Sequence, residues 1–166
     1  MNSSKYRIRL ATQTDAAAVN AISFETGLSD GEVGDDGSGL LEPMDDDHTW
    51  IVLEDNTGTV IGGAYFGPES HSDRVWNLYF LAVTKAHQGG GTGSALVRWV
   101  EANLRNRGKD VAKLLLIETS SVESFEPTRT FYRKLGYIEE ARVREYYGPG
   151  DDKVIFWKLL NSVESV

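Results

Sequence analysis

The run Gln88-Gly89-Gly90-Gly91-Thr92-Gly93 constrains this chain more than any other stretch. Just before it, Val75 to Val83 is dense in aromatic and branched apolar residues and reads as a buried strand. Just after it, Leu96, Trp99, Val100 and Leu104 recur at helical spacing, with Gly108 placed to stop the helix. The glycines therefore fall between a strand and the first turn of a helix. Unpaired backbone N–H groups and the positive end of the helix dipole face such a loop. Lacking Cβ atoms, the glycines let the backbone come close to an anion. The pattern predicts a phosphate or pyrophosphate cradle; the alternative is a glycine-rich turn with no ligand.

Two familiar cradles do not fit. A Walker loop ends in Gly-Lys-Ser/Thr, which is absent here, and a dinucleotide fingerprint begun at Gly89 meets Ser94 where its third glycine belongs. With 166 residues the chain is long enough for one domain with a core. Without cysteine there is no disulfide, thiolate metal site or cysteine nucleophile. The net charge of -8 argues against general nucleic-acid binding and suits a cationic substrate such as an amine, although solubility explains it equally well. No apolar run is long enough for a membrane span and no signal peptide is recognised, so a cytoplasmic protein is expected.

Taken in order, Tyr6 to Leu10 reads as a strand. Thr12 to Asp15 starts a helix that runs to about Thr26, with Val19 and Ile22 inward and Gly27 at its end. Ser29 to Asp47 carries Asp30, Glu32, Asp35, Asp36, Glu42, Asp45, Asp46 and Asp47 without a Lys or Arg. A loop of that length is either functional or mobile, so a cation-attracting lid stands beside a solvated acidic loop. The acidic spacing does not match a calcium loop. Leu40, Leu41 and Met44 are expected to form a short turn packed on the core. His48 to Leu53 and Thr59 to Phe66 read as a hairpin, with Gly62 and Gly63 marking a bulge or a close backbone approach. Pro68 to Asp73 is a polar loop. Lys113 to Glu118 reads as a strand parallel to 75–83, because a helix connects them. Thr119 to Glu126 reads as a polar loop and Pro127 as a helix start. Phe131 and Leu135 share a face of that helix, and Gly136 caps it. Tyr137 to Tyr147 and Lys153 to Leu160 are expected as a hairpin with a five-residue loop, followed by a frayed tail. No repeat, linker or second domain is evident, so a single domain over 1–166 is expected, its core about 5–160.

Val83, four residues, Gln88, then two residues, Gly91 and Gly93 resembles the acyl-CoA pyrophosphate loop of the GNAT family of N-acetyltransferases. Thr130-Phe131-Tyr132-Arg133-Lys134-Leu135-Gly136-Tyr137 resembles the family's second signature, in the expected order. The resemblance implies an α/β fold: a mixed, mostly antiparallel sheet of six or seven strands, flanked by helices. Its central parallel pair, here 75–83 and 113–118, would splay at the C-terminal ends. It implies acetyl-CoA as cosubstrate and no metal. The pyrophosphate would rest on N–H groups of Gln88, Gly89, Gly90, Gly91, Thr92, Gly93 and Ser94. The pantetheine arm would pair with backbone of Leu81, Ala82 and Val83, and an N–H near Leu81 would polarise the thioester carbonyl. Ser120, with Thr119 and Ser121 beside it, and Phe131 fall on the cofactor side.

For catalysis, the resemblance makes Tyr132 the acid that protonates the departing thiolate, a role that needs a protonated phenol at neutral pH. Many relatives carry a glutamate where this chain has Asn77, which cannot accept a proton but can hold a relaying water. Glu118, at the end of its strand, is the alternative carboxylate. Arg129, Arg133 and Lys134 face either the cofactor's phosphates or solvent. His48, His71 and His87 lack metal spacing and read as surface or strand-end residues. Tyr79, Tyr146 and Tyr147 either wall an acceptor pocket or serve core packing and hairpin cover. The expected activity is direct acetyl transfer to a primary amine of a small molecule. Its alternatives are a non-catalytic acyl-CoA-binding module and an acetyltransferase of protein N-termini or lysines. A homodimer is possible, as in relatives; no nucleic-acid or membrane partner is expected.

Overall fold

The structure, a computed structural model, describes residues 5–28 and 41–161. Residues 29–40 of the acidic stretch, with Leu40, and the tail from 162 lie outside the described residues.

Among the described residues seven strands and three α-helices follow one another in the order β1 Tyr6–Leu10, α1 Ala16–Glu25, β2 Thr49–Asp55, β3 Val60–Pro68, β4 Val75–Val83, α2 Thr92–Arg107, β5 Leu114–Ser120, α3 Glu126–Lys134, β6 Ile138–Gly148 and β7 Asp151–Leu159. The sheet order is β1-β2-β3-β4-β5-β7-β6. β4 and β5 run parallel, with Val75 opposite Leu114 and Leu78 opposite Ile117. The pairs β1/β2, β2/β3, β5/β7 and β6/β7 are antiparallel. The mixed sheet with one parallel pair is the architecture expected from sequence. The chain packs as two compact units, Met1–Gly67 with Phe80–Val100 and Pro68–Tyr79 with Glu101–Val166, so β4 and α2 each contribute to both.

In the first unit, α1 lays Ala16 and Val19 on Leu41 and Val52 to make a dry cluster. The helix ends as Gly27 predicts. Gly27 takes φ +75°, and the N–H groups of Gly27 and Leu28 cap the carbonyls of Phe24 and Ser23. Its start is tied by charge. Arg9 grips both oxygens of Asp15 at 2.7 and 2.9 Å and Glu54 at 2.7 Å. Asp15 also accepts the Thr12 N–H at 2.8 Å. These bonds, Arg9 foremost, hold the Asp15 carboxyl down to about 2. Gly62 is a close-approach glycine: a Cβ there would lie 3.0 Å from the Ala82 carbonyl oxygen and 3.2 Å from Val83. A bulge lies there too: in the β2/β3 pairing Leu53 faces Gly62 and Glu54 faces Val60, so the register skips Ile61. Leu41 is buried as expected, but Met44 is exposed, its N–H donating to the Tyr65 hydroxyl.

In the second unit, β5 and β7 bury Leu115, Ile117, Val154 and Phe156. α3 ends in the same motif as α1, with Gly136 at φ +88° and the Tyr137 N–H reaching the Tyr132 carbonyl. Glu101 is 3% exposed, yet it accepts bonds from the Tyr137 hydroxyl at 2.8 Å, Lys158 Nζ at 2.9 Å and Arg105 at 3.2 Å. The last hairpin is tighter than a five-residue loop: Gly148 pairs with Asp151, leaving Pro149 and Gly150 at the tip. The sequence reading missed this because Gly-Pro-Gly-Asp-Asp is all turn chemistry, whereas Asp151 and Asp152 are held in the strand by bonds to Ser120 and Ser121. The segment after Glu118 is likewise not all loop, since β5 continues to Ser120 and 123–125 forms a 3-10 turn.

Candidate functional site

The glycine loop belongs to the first unit. The first intrahelical bond of α2 runs from the Ala95 N–H to the Gly91 carbonyl, so the N–H groups of Thr92, Gly93 and Ser94 have no acceptor within the helix. Gly89 and Gly91 take φ +79° and +86°, and no atom outside the loop lies within 4 Å of where their Cβ atoms would stand. Non-glycine residues adopt such backbone only with strain. Side chains brace the loop from behind. Gln88 Nε2 donates to the Val83 carbonyl at 2.9 Å, Thr92 Oγ1 to the His87 carbonyl at 2.7 Å, and Thr84 Oγ1 bonds His87 Nδ1 at 2.9 Å. Gln88 is thus a strut from the loop to the end of β4, a side-chain role that the motif did not disclose. Ala82 and Val83 are buried and Leu81 half-buried. An open row of N–H groups on a braced, glycine-lined helix start fits an anionic diphosphate.

Also in the first unit, a cleft of about 430 Å³ is bordered by Leu10, Leu41, Pro43, His48 and Trp50. His48 is 7% exposed, so it is not a surface histidine: its Nδ1 bonds Asp45 at 2.6 Å and its ring lies on Gly67, where a Cβ would clash at 2.0 Å. The sequence signal, overlooked, was a glycine opposite the strand-starting histidine.

The second unit holds the titratable candidates. It brings Asn77 and Glu118 together, as neighbours on the parallel pair β4 and β5. Asn77 is 1% exposed, and its Nδ2 donates to Glu118 Oε1 at 3.4 Å and to Glu69 Oε1 at 2.6 Å. Its Oδ1 is buried without a hydrogen-bond partner. Glu118 Oε2 pairs with Lys153 Nζ at 2.8 Å, and that ammonium lies 3.7 Å from the centre of the Tyr146 ring. Glu69 escaped the sequence reading because it sits in a polar loop. Only the turn that folds its N–H onto the Val75 carbonyl delivers its carboxylate to Asn77.

Tyr132 is 5% exposed, with its ring against Phe131, Tyr137 and Phe156. Burial pushes its phenol well above the ordinary tyrosine range, so it keeps its proton at neutral pH. The Ser120 hydroxyl donates to Asp151 and accepts the Val122 N–H, which ties β5 to the last hairpin. Arg129 does not face phosphates: it is 5% exposed, donates to the Ser120 and Val122 carbonyls and pairs with Glu126. Arg133 pairs with Glu126 and Glu139. Tyr79, Tyr146 and Tyr147 are all exposed, so none is a core residue. Among the described residues no group of His, Asp and Glu is arranged to hold a metal ion, and no helix is long and apolar enough to cross a membrane.

The described residues thus combine a mixed α/β sheet that has one parallel pair with an anion-ready loop between β4 and α2. The family model of the acetyltransferase (GNAT) domain matches residues 45–139, and the chain belongs to that family of acetyltransferases. A GNAT-family protein from Desulfovibrio desulfuricans is 28% identical over 94% of this chain and 99% of its own, with a TM-score of 0.81. An aminoglycoside 6'-N-acetyltransferase complexed with coenzyme A is 18% identical, covering 95% of this chain and 98% of its own, with a TM-score of 0.73. The ribosomal-protein-S18-alanine N-acetyltransferase from Escherichia coli is 19% identical, covering 97% and 98%, with a TM-score of 0.72. At the last two identities the likeness is one of fold. None of the curated proteins compared matches the sequence.

Proposed function

We propose that this chain transfers the acetyl group of acetyl-CoA directly to a primary amine of a small molecule. The observation that carries the reading is the braced glycine loop of a GNAT-family chain, with the N–H groups of Thr92, Gly93 and Ser94 left open at the start of α2. Acetyl-CoA supplies an acyl carbon already activated as a thioester. The N–H groups of 88–94 take the diphosphate, and the strut from Gln88 to Val83 keeps the loop at the end of β4. Backbone of Leu81, Ala82 and Val83 holds the pantetheine arm, with an N–H near Leu81 set for the thioester oxygen. Phe131, on the second signature, and Ser120 are the further cofactor contacts of this reading. Tyr132 is the proton donor to the departing thiolate, a role its buried, protonated phenol supports. Glu118 is the carboxylate that takes the amine's proton, with Asn77 beside it to hold a relaying water.

The acceptor class follows the aminoglycoside enzyme among the fold relatives, whereas the S18-alanine enzyme represents a protein N-terminus. The test has two stages. An acetyl-CoA binding isotherm, with ATP and NAD as controls, checks the cradle. Release of free CoA with small amines, set against peptides with free N-termini, checks the acceptor. Binding without release of CoA from any acceptor would mark a sensor and sink the catalytic reading.

A further inference from the structure

What the glycine loop offers an anion is backbone: open N–H groups and the partial charge of a helix start. No side chain from Gln88 to Ser94 carries a charge, and the whole chain has a net charge of -8. Immediately before the loop stand Lys85 and His87. Lysine is charged throughout the neutral range, whereas histidine is the side chain whose charge changes between about pH 5 and 8. His87 is built into the loop. It closes the 3-10 turn Lys85–His87, with its N–H on the Thr84 carbonyl. Its own carbonyl accepts the Thr92 hydroxyl at 2.7 Å, and a Cβ on Gly90 would stand 4.0 Å from the same oxygen. The half-buried ring is therefore one side chain away from the row of open N–H groups that begins at Thr92. Its Nδ1 is held by Thr84 Oγ1 at 2.9 Å. A hydroxyl both donates and accepts, so that bond persists whether the ring is neutral or protonated. Two carboxylates belong to the same surroundings. Asp55, in the turn between β2 and β3, is held below the ordinary carboxylate range, by the Thr57 hydroxyl first and by the His87 charge least. It is thus ionised wherever a histidine titrates. Glu25, at the end of α1, accepts the Lys85 N–H at 3.0 Å. A full charge acts across a gap without contact. At low ionic strength, an imidazolium about 10 Å from a diphosphate dianion strengthens its binding roughly fivefold or more.

We propose that His87 is a proton-linked clamp on the diphosphate: its protonation tightens the hold of the glycine loop on coenzyme A, so the cofactor is gripped below neutral pH and released more readily above it. This role rests on the acetyl-CoA reading of the loop and adds a regulating group to it. The sign follows from linkage. The added affinity is present where the ring is charged and is lost as pH rises through its titration. Reciprocally, the bound dianion raises the pH at which the ring titrates.

The probe is dephospho-coenzyme A, which keeps the diphosphate but lacks the phosphate monoester of coenzyme A, a group that itself titrates at about pH 6. Isotherms on the full chain at about pH 8 and about pH 5.5, at low ionic strength, should show Kd falling at least about fivefold at the lower pH, and added salt should shrink the difference. His87→Asn, whose amide can keep the Thr84 bond, should give a Kd that no longer changes with pH. His87→Lys, a permanent cation, should hold the probe tightly at both values. In the unmutated protein, NMR of the His87 ring, assigned through His87→Asn, should show its titration displaced to higher pH by the probe, by the same factor as the affinity changes. A wild-type Kd indifferent to pH, a pH dependence that survives His87→Asn, or a His87 titration that the probe leaves in place overturns the proposal while the cradle stands. Failure of both the probe and acetyl-CoA to bind at any pH overturns the cradle and the proposal together.

Discussion

Two glutamates of the second unit meet buried polar partners in opposite ways. Glu101, on α2, is enclosed by a tyrosine hydroxyl, a lysine and an arginine, so its charge is matched and its oxygens are occupied. Glu69 meets a buried asparagine whose other end is empty, and it has no cation among the described residues. A closed network of the first kind holds a fold together, and removing one member strands the rest. An open one leaves an acceptor unmatched and contributes less to stability. The same contrast runs between Arg129, whose guanidinium is consumed by carbonyls and Glu126, and the glycine loop, whose N–H groups are left open.

The contrast can be broken by experiment. The largest effect is expected from Glu101→Ala, which removes the acceptor of the Tyr137 hydroxyl and the counter-charge of Lys158; it should lower stability by about 3–5 kcal/mol. Urea unfolding would show it, and a loss below about 1 kcal/mol would mean the network is not closed. Tyr132→Phe comes next. It removes only a hydroxyl and should lower kcat about a hundredfold while the acetyl-CoA Kd holds, as expected for a proton donor. A sensor would show no change.

Asp15 offers a closed cluster in the first unit that titrates. Its folded carboxyl is held near 2, below the ordinary 3.8, so its contribution is complete above pH about 4 and is lost as pH falls toward 2. Asp15→Asn should therefore cost roughly 2 kcal/mol at neutral pH and flatten the fall in stability between pH 4 and 2, read from unfolding curves across that range. The smallest effect, and the sharpest for the comparison, is Asn77→Leu. Replacing a half-satisfied buried amide with an apolar side chain of similar size should change stability by no more than about 1 kcal/mol in either direction, read from urea unfolding. A loss as large as that of Glu101→Ala would show that Asn77 is structural.

The sequence alone determined the order of strands and helices, the glycine stops at Gly27 and Gly136, the place of the glycine loop 88–93 between a strand and a helix start, and the parallel pairing of β4 with β5. All of these follow from local chemistry: apolar periodicity, backbone that only glycine adopts without strain, and the handedness of a strand-helix-strand connection. Tertiary structure alone decided which polar side chains meet. Glu69 and Asn77 are eight positions apart across a turn, Glu101 and Lys158 are separated by most of the second unit, and Arg129 reads in sequence like any solvated cation. Whether a charge is matched, stranded or open depends on burial and on partners brought from elsewhere in the chain, and no local pattern encodes that pairing.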